Sequence, residues 1–246
     1  MTVPVRDAAT VVLLRDGADG VEAWLLTRVA QMAFAAGMTV FPGGRVEASD
    51  ESLPVSGPVD AIAARLGCTS TQAHALVGAA VRETFEETGV LLGVPSLDLR
   101  AARADVEAGR LPFGELLRTN GAAVDVSALH PWARWVTPEG ETRRYDTRFF
   151  VVELPAGATP ADVTSEAAHA GWVGVAEALA DRERGERLLM PPTLVTLQAI
   201  ASYASVAQVL AAAAERSMDA VRPVLHVDDD GVRVELPDGS SVRMGR

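Results

Sequence analysis

Three glutamates within a single helical turn constrain this chain more than any other feature. Glu83, Glu86 and Glu87 stand at i, i+3 and i+4 in the string Arg82-Glu83-Thr84-Phe85-Glu86-Glu87-Thr88-Gly89. On an α-helix that spacing puts all three carboxylates on one face. Like charges at i and i+4 destabilise a helix, so the pattern implies a cation held against that face. Mg²⁺ suits it, because it takes hard oxygen ligands and usually also binds substrate phosphates. The helix is expected from about Thr71 to Thr88. Thr69-Ser70-Thr71 form its N-cap region, Ala75, Leu76, Ala79, Ala80 and Phe85 its apolar positions, and Gly89 its stop.

Upstream, Phe41-Pro42-Gly43-Gly44 ends a short strand at Val40-Phe41 and is expected to turn sharply out of any sheet. Gly43-Gly44 leaves room for the backbone to approach a ligand. Ala9–Leu14 and Val21–Arg28 read as a hairpin turned through Asp16–Gly20, and Ser49–Pro58 as a loop. Val59–Leu66 reads as a short helix ended by Gly67, and Leu97–Thr119 as two short helices. Strands are expected at Trp132–Val136, Thr147–Leu154 and Ala170–Val173, then a helix at Val175–Glu183. A long helix is expected from Thr193 to Arg216, either covering the sheet or making a dimer contact. Leu225–Arg243 reads as a hairpin with turns at Asp229-Asp230-Gly231 and Asp238-Gly239. Strands and helices intermingle, as in an α/β or α+β sandwich.

A net charge of −11 argues against a non-specific nucleic-acid surface. An anionic substrate must then be held locally, by metal ions or a few arginines. The single cysteine, Cys68, permits no internal disulfide and no cysteine-based metal site, which suits a reducing cytosol. No N-terminal secretory pattern is read, and no uninterrupted apolar stretch is long enough to span a bilayer. His74, His130, His169 and His226 form no ligand spacing, and Trp132, Trp135 and Trp172 read as core.

The Gly-rich turn with Arg82-Glu83, Glu86-Glu87 and Gly89 resembles the Nudix box. Two departures stand out. Asp50 takes the place of the first box glutamate, and residues 51–81 replace the family's seven-residue spacer, an insertion of about 24 residues. Thr84 also replaces the usual apolar residue. The split box is similar to the branch of the peroxisomal coenzyme A diphosphatase. Trp135-Val136-Thr137-Pro138 and Arg143-Arg144-Tyr145-Asp146-Thr147-Arg148-Phe149-Phe150 resemble the same branch.

The resemblance implies a Nudix-type α/β/α sandwich with a mixed sheet. The Nudix domain is expected over residues 1–190, with the insertion at about 51–74. Residues 191–246 form a helix and hairpin extension packed on it. The resemblance also implies that the Gly44 carbonyl joins Glu83, Glu86 and Glu87 around Mg²⁺ or Mn²⁺, with Arg82 orienting a carboxylate. Glu166 resembles a late loop glutamate that serves some relatives as base or extra metal ligand. Asp50 is read as structural, and Glu47 as a nearby alternative base. Arg45, Arg143 and Arg144 are candidate phosphate contacts, although alternation along a strand lets only one of the last two face a site. The insertion helix Val59–Gly67 is expected beside the site, shaping access.

The implied reaction is attack of water on a diphosphate bond in a nucleoside diphosphate derivative, with coenzyme A or an acyl-coenzyme A as leading substrate. ADP-ribose, NADH or another dinucleotide is the alternative substrate. A non-catalytic Nudix-fold nucleotide-binding module is the alternative of another class, disfavoured because all three carboxylates are retained. The expected partner is thus a small nucleotide-type molecule, with neither nucleic acid polymer nor membrane, in a chain that is a monomer or a homodimer.

Overall fold

In the computed structural model, residues 3–29, 37–94, 97–161, 167–228 and 231–243 are described. Along the chain they form β1 (Val5–Gly17), β2 (Gly20–Arg28), β3 (Thr39–Val40), β4 (Gly43–Arg45) and β5 (Val55–Ser56), followed by the helices α1 (Val59–Leu66), α2 (Ser70–Thr88), α3 (Arg103–Glu107) and α4 (Phe113–Thr119). Next come β6 (Val124–Asp125), β7 (His130–Val136), β8 (Arg144–Glu153), β9 (Ala167–Gly174), α5 (Val175–Glu183), α6 (Pro191–Ile200) and α7 (Val206–Ala213). The chain closes with β10 (Ala220–Val221), β11 (Val224–Asp228), β12 (Gly231–Glu235) and β13 (Ser241–Arg243).

Eight strands make one mixed sheet in the order β10-β7-β8-β1-β2-β3, with β4 also paired to β1 and β9 to β2. β1 and β8 run parallel over a long register, from Val5 opposite Arg144 to Leu14 opposite Glu153. Strict alternation along the central strands feeds two cores. Ala9, Val11 and Leu13 of β1 join Phe150 and Val152 of β8 under α2. Val12, Leu14, Phe149 and Val151 face α5, α6 and α7 on the other side. The result is the expected three-layer α/β/α sandwich.

Helix α2 is specified by its own sequence. The Thr69 side chain accepts from the Gln72 N–H, and Gly89 takes the left-handed conformation at φ 73° while its N–H closes on the Phe85 carbonyl. Its face toward the sheet buries Leu76, Val77, Ala80 and Phe85. Full burial of a large apolar side chain such as Phe85 contributes about 1.5–3 kcal/mol. Gly78 sits mid-helix, where glycine costs about 1 kcal/mol relative to alanine. It is there because the chain at Asp50 lies against it: a Cβ at Gly78 would stand 2.7 Å from the Asp50 carbonyl.

Four expectations need correction. Phe41-Pro42 makes the expected break after β3, but Gly43-Gly44 does not leave the sheet. After Pro42 the chain re-enters it as β4, with Gly44 opposite Ala9 and Gly43 opposite Thr10. Only glycine fits at residue 43, where φ is 152° and a Cβ would collide with the Ala9 carbonyl. The expected long helix is two helices. Ser205 accepts from the Gln208 N–H, and Asp16 near the end of β1 accepts from the Val206 N–H at 2.8 Å, so a fresh N-terminus is capped there. Ala201, Ala204 and Ala207 are exposed, while Leu194, Leu197, Ile200, Val206 and Val209 are buried over the sheet. The C-terminal hairpin gains a third strand, giving the order β11-β12-β13.

The fourth correction concerns the insertion. Its helix, Val59–Leu66 ended by Gly67, forms as expected, but the stretch 49–58 expected as a loop is ordered. A 3₁₀ turn at Ala48–Ser52 packs on α2, β5 pairs in parallel with β6, and α1 buries Ile62, Ala63 and Leu66. Arg65 of α1 donates to the Ala213 and Arg216 carbonyls, capping the end of α7. No residue of 51–74 lines either of the cavities described below. The insertion packs on α2 and against the end of α7, away from the lining of both cavities.

Candidate active site

The pairing of β4 with β1 sets Gly43–Arg45 beside the second half of α2. Glu83, Glu86 and Glu87 project from the helix into one cavity of about 540 Å³, whose wall also includes Gly44, Arg45, Glu47 and Arg143. The helical spacing of the carboxylates and the Gly-rich turn are thus brought together, as the sequence implies.

Arg82 organises the acidic cluster from behind. It is buried, and its guanidinium reaches four groups. Nε and Nη2 donate to the two Asp50 carboxylate oxygens at 2.8 and 3.0 Å, and Nη2 also to the Arg45 carbonyl at 3.0 Å. Nη1 donates to Glu83 at 2.9 Å and to Glu86 at 3.4 Å. Burial opposes the charge on Arg82, but the Asp50 hydrogen bonds and the neighbouring carboxylates outweigh it and hold the guanidinium protonated. Asp50 is only 1% exposed, and its Oδ2 also accepts from the Glu47 N–H at 2.8 Å. With both oxygens engaged, Asp50 is a brace and is not placed to take a proton from water in the cavity.

Glu87 accepts from the Gly43 N–H at 2.8 Å, tying the end of the helix to the glycine strand. Burial pushes the Glu86 carboxyl up to about 7; Arg82 pulls it down, and Glu83 pushes it up. An acidic cavity that penalises its own negative charge favours an added cation.

Among the described residues, no group of three or more His, Cys, Asp or Glu side chains converges as a formed metal cage. Two of the glutamates rest on Arg82 and the third on Gly43 N–H. The chemistry of the donors nevertheless fits a hard divalent cation, with three carboxylates on one cavity wall. Gly44 fits it too. A Cβ there would collide with the Glu83 carboxylate, so the backbone of β4 comes as close to the cluster as a chain can.

Not every candidate reaches the cavity. Arg143 does, but Arg144 points elsewhere and donates to the Thr137 carbonyl at 3.2 Å, as the pleat of β8 demands. Glu166 lies outside the described residues. Arg28, Glu107, Tyr145 and Thr147 also line the cavity and were not anticipated. Tyr145 and Thr147 follow Arg143 at two-residue steps, so the pleat carries the signal for them. Glu107 arrives on α3, paired with Arg103 at 3.1 Å, and nothing local in the sequence marks it.

A second cavity, of about 430 Å³, adjoins the first and shares Thr10, Arg28, Gly43, Tyr145 and Thr147 with it. Its walls are mainly apolar, including Phe41 from the β3–β4 connection and Trp135 and Phe149 from the main sheet.

Comparison with known proteins agrees with this geometry. The model of the NUDT19 Nudix domain family matches residues 63–200, more than half of the chain. The acyl-coenzyme A diphosphatase NUDT19 of Xenopus laevis is 27% identical over 265 residues, covering 88% of this chain and 70% of that protein. The Homo sapiens protein of the same name is 28% identical over 269 residues, covering 89% and 72%. A crystal structure of a NUDIX hydrolase from Alicyclobacillus acidocaldarius superposes with a TM-score of 0.71 at 28% identity, covering 85% of this chain and 96% of that one. The chain therefore belongs to the NUDT19 Nudix domain family and is a Nudix pyrophosphohydrolase.

Proposed function

We propose that this enzyme hydrolyses the diphosphate bond of coenzyme A or, preferentially, of acyl-coenzyme A, with Mg²⁺ or Mn²⁺ as cofactor. One observation carries the reading: a cavity lined by three box carboxylates and by Arg45 and Arg143 adjoins an apolar cavity and shares wall residues with it. That pairing suits a substrate with a diphosphate at its centre and an uncharged arm on one side. The names of the NUDT19 relatives support the same substrate class.

In this reading Glu83, Glu86 and Glu87, with the Gly44 carbonyl, would hold the cation. Bound there, it supplies charge neutralisation for the diphosphate and lowers the pKa of a coordinated water. The chain's own residues do the rest. Arg82 fixes the carboxylates from behind and is itself fixed by Asp50. Arg45 and Arg143 offer guanidinium groups to the non-bridging phosphate oxygens, which matches their fork geometry. Glu47, on the cavity wall beside β4, takes the proton of the attacking water. Water adds to one phosphorus and the bridging P–O bond breaks. The products are 3′,5′-ADP and the acyl-4′-phosphopantetheine, with one water consumed.

The test is a hydrolysis panel of coenzyme A, acetyl-coenzyme A, NADH, ADP-ribose and dinucleoside polyphosphates with added Mg²⁺, with products identified by mass. The proposal expects coenzyme A compounds to give the highest kcat/KM. A dinucleotide or ADP-ribose winning would remove the coenzyme A assignment while leaving the enzyme class intact.

A further inference from the structure

The apolar cavity is built from two distant parts of the chain. Trp135 and Phe149 come from the main sheet, whereas Met190, Leu225, Val232 and Val234 come from the C-terminal segment. The cavity is within the size range of small-molecule sites. Its charged lining residues are Arg28, at the junction with the acidic cavity, and Glu141. Glu141 would repel a phosphorylated nucleoside. An uncharged arm surrenders no charge solvation on entering and gains from apolar contact.

The register of the small C-terminal sheet extends this wall beyond the cavity. Leu225 stands opposite Val234, and Val227 opposite Val232. Directly opposed residues in an antiparallel pair share a face. Leu225, Val227, Val232 and Val234 therefore form one apolar face. The other face carries His226, Arg233 and Glu235, with Glu235 paired to both of the others. Three of the four apolar residues line the cavity, while Val227 continues the same face into solvent at 79% exposure. The core makes no use of that valine.

We infer that β11 and β12 form the acyl-recognition wall of the enzyme: the apolar cavity takes the thioester arm of the substrate, and longer acyl chains run along the Leu225–Val227–Val232–Val234 face toward Val227. This rests on the acyl-coenzyme A reading above and assigns chain-length selection to the C-terminal sheet. The structured insertion lines neither cavity and plays no part in it.

The experiment compares kcat/KM for coenzyme A, octanoyl-coenzyme A and palmitoyl-coenzyme A in the wild type, Val232→Glu and Val227→Asp. In the wild type the acyl compounds are expected to exceed free coenzyme A by roughly tenfold or more, since each buried methylene contributes to binding. Val232→Glu should lower the octanoyl-to-free ratio by roughly tenfold. Val227→Asp should lower the palmitoyl-to-free ratio with a smaller effect on the octanoyl ratio. Its exposure means that it tests the wall even if Val232→Glu misfolds. Acyl-to-free ratios that stay unchanged in Val227→Asp, and in a folded Val232→Glu, would overturn the wall assignment while leaving the hydrolase reading intact. A wild type that cleaves ADP-ribose or NADH but no coenzyme A compound would overturn both, and the panel tells the two failures apart.

Discussion

Replacing Asp50 by alanine tests how the site is held together. Asp50 is 1% exposed and Arg82 7%, and two hydrogen bonds at 2.8 and 3.0 Å join them. Removing one partner of a buried ion pair leaves the other charge uncompensated and typically costs about 3–5 kcal/mol. The Glu47 N–H also loses its acceptor, and an unsatisfied buried donor costs about 1–3 kcal/mol. Against this, Glu83, Glu86 and the Arg45 carbonyl still hold Arg82. The net loss should therefore fall near the lower end, about 3 kcal/mol. For a chain of this size that corresponds to a Tm lower by about 6–12 °C. Urea unfolding followed by circular dichroism reads it as a lower midpoint at unchanged m. The control is Arg45→Ala, which breaks an exposed pair with Glu47 and should cost less than about 1 kcal/mol. A loss below about 1 kcal/mol for Asp50→Ala would refute the argument that this pair braces the site.

Other consequences are equally specific. Asp50→Glu should also destabilise, by about 1–3 kcal/mol, because the backbone at residue 50 is pressed onto Gly78 and an added methylene overpacks the contact; thermal unfolding reads it. Gly44→Ala should cut kcat/KM by roughly a hundredfold or more while Tm changes little. A Cβ would displace the Glu83 carboxylate, which is the movable partner. Glu47→Gln should lower kcat by about 10²–10⁴ with Mn²⁺ affinity retained, and Glu166→Gln should not; the reverse order in steady-state kinetics moves the base to Glu166. Saturating Mg²⁺ should raise Tm relative to chelator-treated protein, as ligand linkage requires, by about 2.7 kcal/mol of stability at a hundred times Kd. Glu86→Gln should shrink that increment, and an equal increment in the variant would remove Glu86 from the cation site.

Local signals in the sequence are enough to define α2. Thr69 and Gly89 end it through bonds to residues within a few positions, and the carboxylate spacing fixes the acidic face. The insertion helix is legible for the same reason, with Gly67 in the left-handed conformation at its end. What escaped depends on distant partners. β4 exists because Ala8–Thr10 pair with it, and no residue near Gly43 announces that. The break before α7 relies on Asp16, 190 residues away in sequence, accepting from Val206. A long apolar period therefore reads as one helix. The insertion's position next to α2 in sequence implies a place at the site. Its apolar residues, Ile62, Ala63 and Leu66, instead bury it in the core shared with α2. The apolar cavity was invisible to sequence reasoning because its walls meet only through the packing of Trp135 and Phe149 against the C-terminal sheet.

The acidic cavity as the place of hydrolysis is the claim to test most directly. The decisive measurement is Mg²⁺-dependent turnover of acyl-coenzyme A by wild type and Glu87→Gln, with near-ultraviolet circular dichroism confirming the variant's fold. The expected result is 3′,5′-ADP and acyl-4′-phosphopantetheine from the wild type, and a loss of roughly three orders of magnitude or more in kcat for a folded Glu87→Gln. Near-normal turnover by the folded variant would contradict the central claim.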